Sequence, residues 1–172
     1  MFADEILAPE ASCKTFDAST DGYARAEGIT AVYIKPLADA LRHGNSVRAV
    51  IRATSITCDG KGVSLVTPNG DVHEALMRAT YSIVGLDPKD TAFIECHATG
   101  TLTGDPIETT AVEKVFGEKG IFMTSVKANL GNCEGSAELI ETEVPNPGSH
   151  AQSTKIDTFS TVFATKISPK SA

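Results

Sequence analysis

The chain has 172 residues, 41% of them hydrophobic, which suffices for one domain with a buried core or for part of one. Its 15 basic residues are outnumbered by 22 acidic ones, giving a formal charge of −7, and they do not cluster, so no electrostatic footprint for nucleic acid or an anionic membrane is present. The start, Met1-Phe2-Ala3-Asp4-Glu5, is acidic where a signal peptide is basic, and no apolar run approaches the ~20 residues of a membrane span, so a soluble, cytoplasmic chain is expected.

In chain order, the first predicted element is a strand over 29–35, with Val32 and Ile34 on one side. A helix follows from Pro36 through Leu41, stopped by His43-Gly44. Residues 48–57 are rich in β-branched side chains and read as a strand ended by Asp59-Gly60-Lys61-Gly62. After a Pro68-Asn69-Gly70 loop, Ala75, Leu76, Ala79 and Ile83 recur at helical spacing within 71–84. Asp71 favours the start of that helix and Gly85 fits its end. A buried strand is predicted over 91–96, then a Gly- and Thr-rich loop over 97–105 and a helix from Pro106. A further strand over 121–126 is followed by a loop over 127–133 and a short helix over 134–140. Strands alternating with helices imply βαβ units and a largely parallel sheet buried between helices. From about Glu141 the pattern changes: 144–149 (Val-Pro-Asn-Pro-Gly-Ser) breaks any helix. The Ser/Thr-rich remainder, with one weak apolar stretch over 159–164, is expected to be a poorly packed tail.

Cys13, Cys58, Cys96 and Cys133 are widely spaced with no CxxC pair, so neither structural zinc nor a disulfide framework is indicated. Asp17-x-Ser19-x-Asp21-Gly22 has the beginning of a calcium loop, but the twelfth position, where a bidentate Glu is needed, is Gly28, and a turn-rich loop is preferred. Neither GxGxxG nor GxxxxGK[ST] occurs at Gly100, Gly104 or Gly131, so a nucleotide site has little support. The loop His97-Ala98-Thr99-Gly100-Thr101 is more informative. A histidine leaving the end of a buried strand lies where α/β folds place ligand chemistry, although a lone histidine is more often structural. Ser125-Val126-Lys127-Ala128-Asn129-Leu130-Gly131-Asn132 is a second loop of the same kind, whose Lys or Asn could equally serve backbone carbonyls.

Four ordered phrases, CKTFDASTDGYARAEG from Cys13, AVIRATSITCDG, GLDPKDTAFIECHATGTLTGDPIE and SVKANLGNCEG, resemble the ketosynthase of iterative fungal-type polyketide synthases over roughly three-quarters of the chain. The resemblance implies a partial thiolase-like fold, a layered α-β-α body with a mixed, mostly parallel sheet, left incomplete. Residues 1–45 would end the N-terminal half, 46–140 would hold a truncated C-terminal half, and 141–172 would be the divergent tail. It also implies decarboxylative condensation: a cysteine holds an acyl group, a malonyl extender loses carbon dioxide, and two hydrogen-bond donors stabilise the enolate oxyanion. His97 matches the first catalytic histidine of the family, and the second stands here as Asn132, whose amide can also donate. Lys127 matches the lysine that organises the polar network, while Thr99 and Thr101 match threonines lining the phosphopantetheine tunnel. The implied partners are acyl carrier protein, acyl and malonyl thioesters, and a second ketosynthase chain in a homodimer. No tightly held cofactor and no metal are implied; the phosphopantetheine arm arrives with its carrier. None of the four cysteines stands in the TACSS-type phrase of the family's nucleophile, and Cys13 aligns with a surface-loop position. A fragment inactive alone is therefore expected, whether a gene-model piece, a subunit completed by a partner that supplies the cysteine, or a non-catalytic binder of a full ketosynthase.

Overall fold

The computed structural model describes residues 6–60, 62, 67–137, 139–140, 153–156 and 159–163. A five-stranded sheet is built from β1 (Ile51–Ile56), β2 (Phe93–Cys96), β3 (Phe122–Thr124), β4 (Ser153–Ile156) and β5 (Phe159–Phe163), in the order β1-β5-β4-β2-β3. β2 runs parallel to both β3 and β4, whereas the β4–β5 and β5–β1 pairings are antiparallel. The mixed sheet arises because β4 and β5 form a hairpin that enters between β1 and β2, and both strands come from the segment after residue 141. The rest of that segment lies outside the described residues.

Helices accompany the sheet, among them α1 (Leu37–Arg42), α2 (Gly70–Val84), α3 (Gly104–Phe116) and α4 (Lys127–Leu130). α2 begins one residue before Asp71, because the side chain of Asn69 caps it by accepting from the amides of Asp71 and Val72. It ends on Gly85 in the left-handed conformation, φ 63°. Its buried face is Leu76, Met77, Thr80 and Tyr81, so the face expected through Ala75, Ala79 and Ile83 is rotated; Ile83 is 69% exposed. The rotation has a cause in packing, since α2 lies against β1, β5 and α3, and Tyr81 meets Phe116 of α3 edge-on at 5.4 Å. The Tyr81 hydroxyl stays buried by sharing a 2.6 Å hydrogen bond with Thr91. Around that pair Met77, Ile94, Cys96, Ala98, Ala111 and Val112 complete the core, where each large apolar side chain contributes roughly 1.5–3 kcal/mol by burial.

The strand expected over 29–35 does not form, because among the described residues no strand pairs with it. α3 starts at Gly104, two residues ahead of Pro106, and the loop expected over 127–133 contains the single turn of α4. No helix among the described residues is long and apolar enough to cross a membrane.

Candidate functional site

The site is assembled where β2 and β3 end. β2 delivers Glu95, Cys96 and then His97 to the sheet edge, and the chain turns through Ala98 at φ 27° and Gly100 at φ 86° before entering α3. Such a turn strings out amide groups that must find acceptors. Two buried acids of α3 supply them. Glu108 accepts from the amides of His97 at 2.7 Å and Ala98 at 2.8 Å, one on each carboxylate oxygen. Asp105 accepts from Gly100 and Thr101, both at 3.1 Å, and from Phe16 at 3.2 Å. Gly100 is required here, since a Cβ would stand 2.8 Å from the amide nitrogen of Lys14. The segment before residue 28 fastens the loop from outside: Thr15 donates to the Ala98 carbonyl at 2.7 Å, and Gly22 to that of Gly100 at 2.9 Å.

The second loop is tied to the first by Glu95, which accepts from the Val126 amide at 2.6 Å and the Thr124 hydroxyl at 2.5 Å. This anchors the start of α4, whose Lys127 is 1% exposed and carries its Nζ to 3.3 Å from Nδ1 of His97. Which of the two atoms donates depends on the histidine tautomer; a lysine Nζ that donates to Nδ1 leaves the ring proton for Nε2. One turn on, Gly131 donates to the Lys127 carbonyl at 2.8 Å and passes the chain to buried Asn132. Asn132 pairs like a strand residue with 24–26, donating to the Ala24 carbonyl at 2.8 Å and accepting from the Ala26 amide at 3.0 Å. Its side-chain oxygen accepts from the Glu134 amide at 3.3 Å, which identifies the NH2 as the other end of the group.

Of the residues singled out in the sequence, His97 and Lys127 are thus in direct contact and Asn132 shares the Lys127 loop. Thr99 is buried, and the half-buried Thr101 accepts from the Gly104 amide at 3.1 Å, serving the start of α3. Cys13 does not occupy a surface position: it is 4% exposed, with its sulfur between the amide and carbonyl of Ala24 at 3.2 and 3.7 Å. The calcium-like phrase is a turn in which Asp17 accepts from the amide and hydroxyl of Ser19, and those hydrogen bonds hold its carboxyl below the usual aspartate range. Asp21 pairs with Lys14 at 2.7 Å. Among the described residues no group of three His, Cys, Asp or Glu could hold a metal. A cavity of about 530 Å³ lies between Pro68, Asn69 and the outer side of α3 at Ile107 and Lys114, and none of the residues discussed as the site lines it. Sequence reasoning missed Glu95, Asp105 and Glu108. For Asp105 and Glu108 the one faint signal was an acid in the first turns of a helix that follows a Gly/Thr-rich loop, where orphan amides need acceptors; Glu95, on β2, left none.

The architecture is that of ketosynthase domains. It superposes on the oxazolomycin ketosynthase domain OzmH KS7 of Streptomyces albus JA3453 with a TM-score of 0.85 at 23% identity, covering 98% of this chain and 38% of that one. The ketosynthase from module 6 of the bacillaene synthase of Bacillus subtilis 168 gives 0.82 at 20% identity, covering 98% and 39%. The model of the beta-ketoacyl synthase C-terminal domain matches residues 48–143, and that of the N-terminal domain matches 3–40. The chain belongs to the beta-ketoacyl synthase family. It is 55% identical over 136 residues to a highly reducing polyketide synthase, sphB, of Aspergillus fumigatus, and 53% identical over 135 residues to another, g433, of a Fusarium species. Each match covers 78% of this chain and 5% of the relative, so the chain spans about one-twentieth of the length of these curated relatives.

Proposed function

We propose that these residues form the extender-handling part of a polyketide ketosynthase site, which supports decarboxylation of a carrier-bound malonyl group and condensation of the resulting enolate with an acyl thioester. The observation that carries this reading is the Lys127–His97 contact: a lysine Nζ donating to Nδ1 leaves the ring proton for Nε2, which supports a neutral histidine as hydrogen-bond donor. Asn132 supplies the second donor through its NH2. Two fixed donors aimed at a thioester oxygen favour the enolate over the neutral carbonyl, because negative charge develops on that oxygen as carbon dioxide leaves. Electrons from the breaking carboxylate bond flow into the enolate, which requires no redox partner. Thr99 and Thr101 are the residues assigned to the phosphopantetheine arm of an acyl carrier domain, and pairing of two ketosynthase bodies completes the assembly.

The acyl-holding thiol is assigned to a polypeptide segment outside these 172 residues. Cys13 and Cys96 are buried, Cys58 is exposed on the loop after β1, and half-buried Cys133 packs near Gly28. A polypeptide of these residues alone is therefore expected to release carbon dioxide from malonyl-carrier protein without forming a carbon–carbon bond. His97→Ala removes one oxyanion donor and is expected to slow carbon dioxide release by roughly 10²–10³-fold. An unchanged rate in that variant, or condensation above a heat-killed control, overturns the assignment.

A further inference from the structure

β2 and β3 run parallel, and their ladder ends where Glu95 faces Thr124. His97 and Lys127 both lie beyond that end, so the pairing of these two strands does not set the distance between them. Side chains span the gap. Glu95 is buried with both carboxylate oxygens engaged: Oε2 takes the Thr124 hydroxyl at 2.5 Å and Oε1 the Val126 amide at 2.6 Å. A longer tie, Ser125 Oγ donating to the His97 carbonyl at 3.4 Å, crosses in the opposite direction.

α4 depends on that carboxylate because it has no cap of its own. Its N-cap is Val126, whose apolar side chain makes no cap hydrogen bond, and so short a helix gains little from its own ladder. The acid on the neighbouring strand supplies an acceptor that a Ser, Thr, Asp or Asn cap would otherwise supply in place. Lys127 follows directly, buried, with its Nζ 3.3 Å from Nδ1 of His97. That separation is at the long end of hydrogen bonding, and a further few tenths of an ångström removes the contact. A neutral imidazole without a donor at Nδ1 is free to carry its proton on either nitrogen.

We infer that Glu95 is a positioning residue for decarboxylation: by holding α4 against β2 it keeps Lys127 within reach of His97 Nδ1 and so reserves the ring proton for Nε2. The inference rests on the donor role proposed above for His97, and its first consequence, the tautomer, is read without turnover. Glu95 acts here through hydrogen bonds, which separates Gln from Met at this position. Glu95→Gln keeps an acceptor for the Val126 amide. Its NH2 donates to Thr124, whose hydroxyl turns its proton to the Ile94 carbonyl, already 3.4 Å away. Glu95→Met is unbranched and of similar length but has no carboxylate oxygen, so the Val126 amide loses its acceptor and α4 its tie.

The test is NMR of the histidine ring nitrogens in the 172-residue chain, with His97 assigned by the signals lost in His97→Gln. The parent is expected to show an unprotonated Nδ1 and a protonated Nε2. Glu95→Gln should keep that pattern, whereas Glu95→Met should draw the two nitrogen signals together as the tautomers mix. Carbon dioxide release from malonyl-carrier protein should lose roughly 10²-fold in kcat in Glu95→Met with KM within about threefold, because a misplaced group costs the transition state more than binding. The Gln chain should stay within about threefold in both. Thr124→Val removes one donor to the carboxylate from an exposed position, and should move the His97 signals in the same direction by less. A protonated Nδ1 in the parent, or a Gln chain shifted as far as Met, overturns the inference. So do parental ring signals or an unchanged kcat in Glu95→Met, or parental ring signals in Thr124→Val where the Met chain does not fold. The expected ring signals in a parent chain that releases no carbon dioxide support the positioning by Glu95 while counting against the catalytic roles proposed above.

Discussion

Glu108 gives the sharpest stability test of how the site is built. Its carboxylate is 4% exposed and takes the amides of His97 and Ala98 on separate oxygens. Glu108→Gln keeps the volume and one acceptor but turns the other oxygen into an NH2, so one of the two amides faces a donor. A buried donor left without its partner costs about 1–3 kcal/mol. Taking the middle of that range, about 2 kcal/mol, the opening equilibrium of the loop should rise roughly 30-fold. Glu108→Ala strands both amides and opens a void, and should cost about 3–5 kcal/mol. Amide exchange at residues 97 and 98, with urea unfolding as the global reference, separates local from global loosening. Thr110→Ala, which removes an exposed hydroxyl from the same helix, is the control and should stay within about 0.5 kcal/mol of the parent. A Gln variant within that same margin and with unchanged exchange at 97 and 98 refutes the idea that Glu108 fixes the histidine loop.

Gly100→Ala is expected to destabilise by about 1–3 kcal/mol in thermal or urea unfolding, since a side chain at φ 86° would also press on the Lys14 amide; a neutral result contradicts the packing of 14–22 on that loop. The carboxyl of Glu74 is held below the usual glutamate range, first by the hydrogen bond from Arg78 and then by Lys114. A depressed folded-state value means that this pairing helps above the unfolded value and is lost as the pH falls through the folded one. NMR titration should therefore give Glu74 a low midpoint that rises in Arg78→Met, and equal midpoints would contradict the assignment.

The parts of the fold that were legible in sequence are those whose local chemistry is self-contained. β1, β2, β3 and α1 to α3 lie inside or within two residues of the expected spans, because β-branched runs, Gly stops and the change of period carry that information. The failures are tertiary. The orientation of α2 is set by contact with β5 and by the Tyr81–Phe116 pair, neither of which leaves a mark in a helical pattern whose Ala75, Ala79 and Ile83 are equally apolar. The strand expected at 29–35 had every local signal but no neighbour, and pairing, not propensity, decides whether a strand forms. β4, Ser-Thr-Lys-Ile, has one aliphatic residue and becomes a strand through its place between β2 and β5. At the site, His97, Lys127 and Asn132 were legible through the resemblance of two loop phrases. Glu95, Asp105 and Glu108 were not, because a buried acid that serves backbone amides looks in sequence like an ordinary helix or strand acid.

The proposed function requires Asn132 to act, with His97, as a hydrogen-bond donor to the enolate. Carbon dioxide release from malonyl-carrier protein, compared among the parent chain, Asn132→His and Asn132→Leu, tests it most directly. Histidine, which supplies a ring donor, is expected to keep the rate within about tenfold, while leucine loses roughly 10²–10³-fold. Leucine and asparagine chains of equal rate would contradict it and leave Asn132 a backbone-pairing residue of the 24–26 segment.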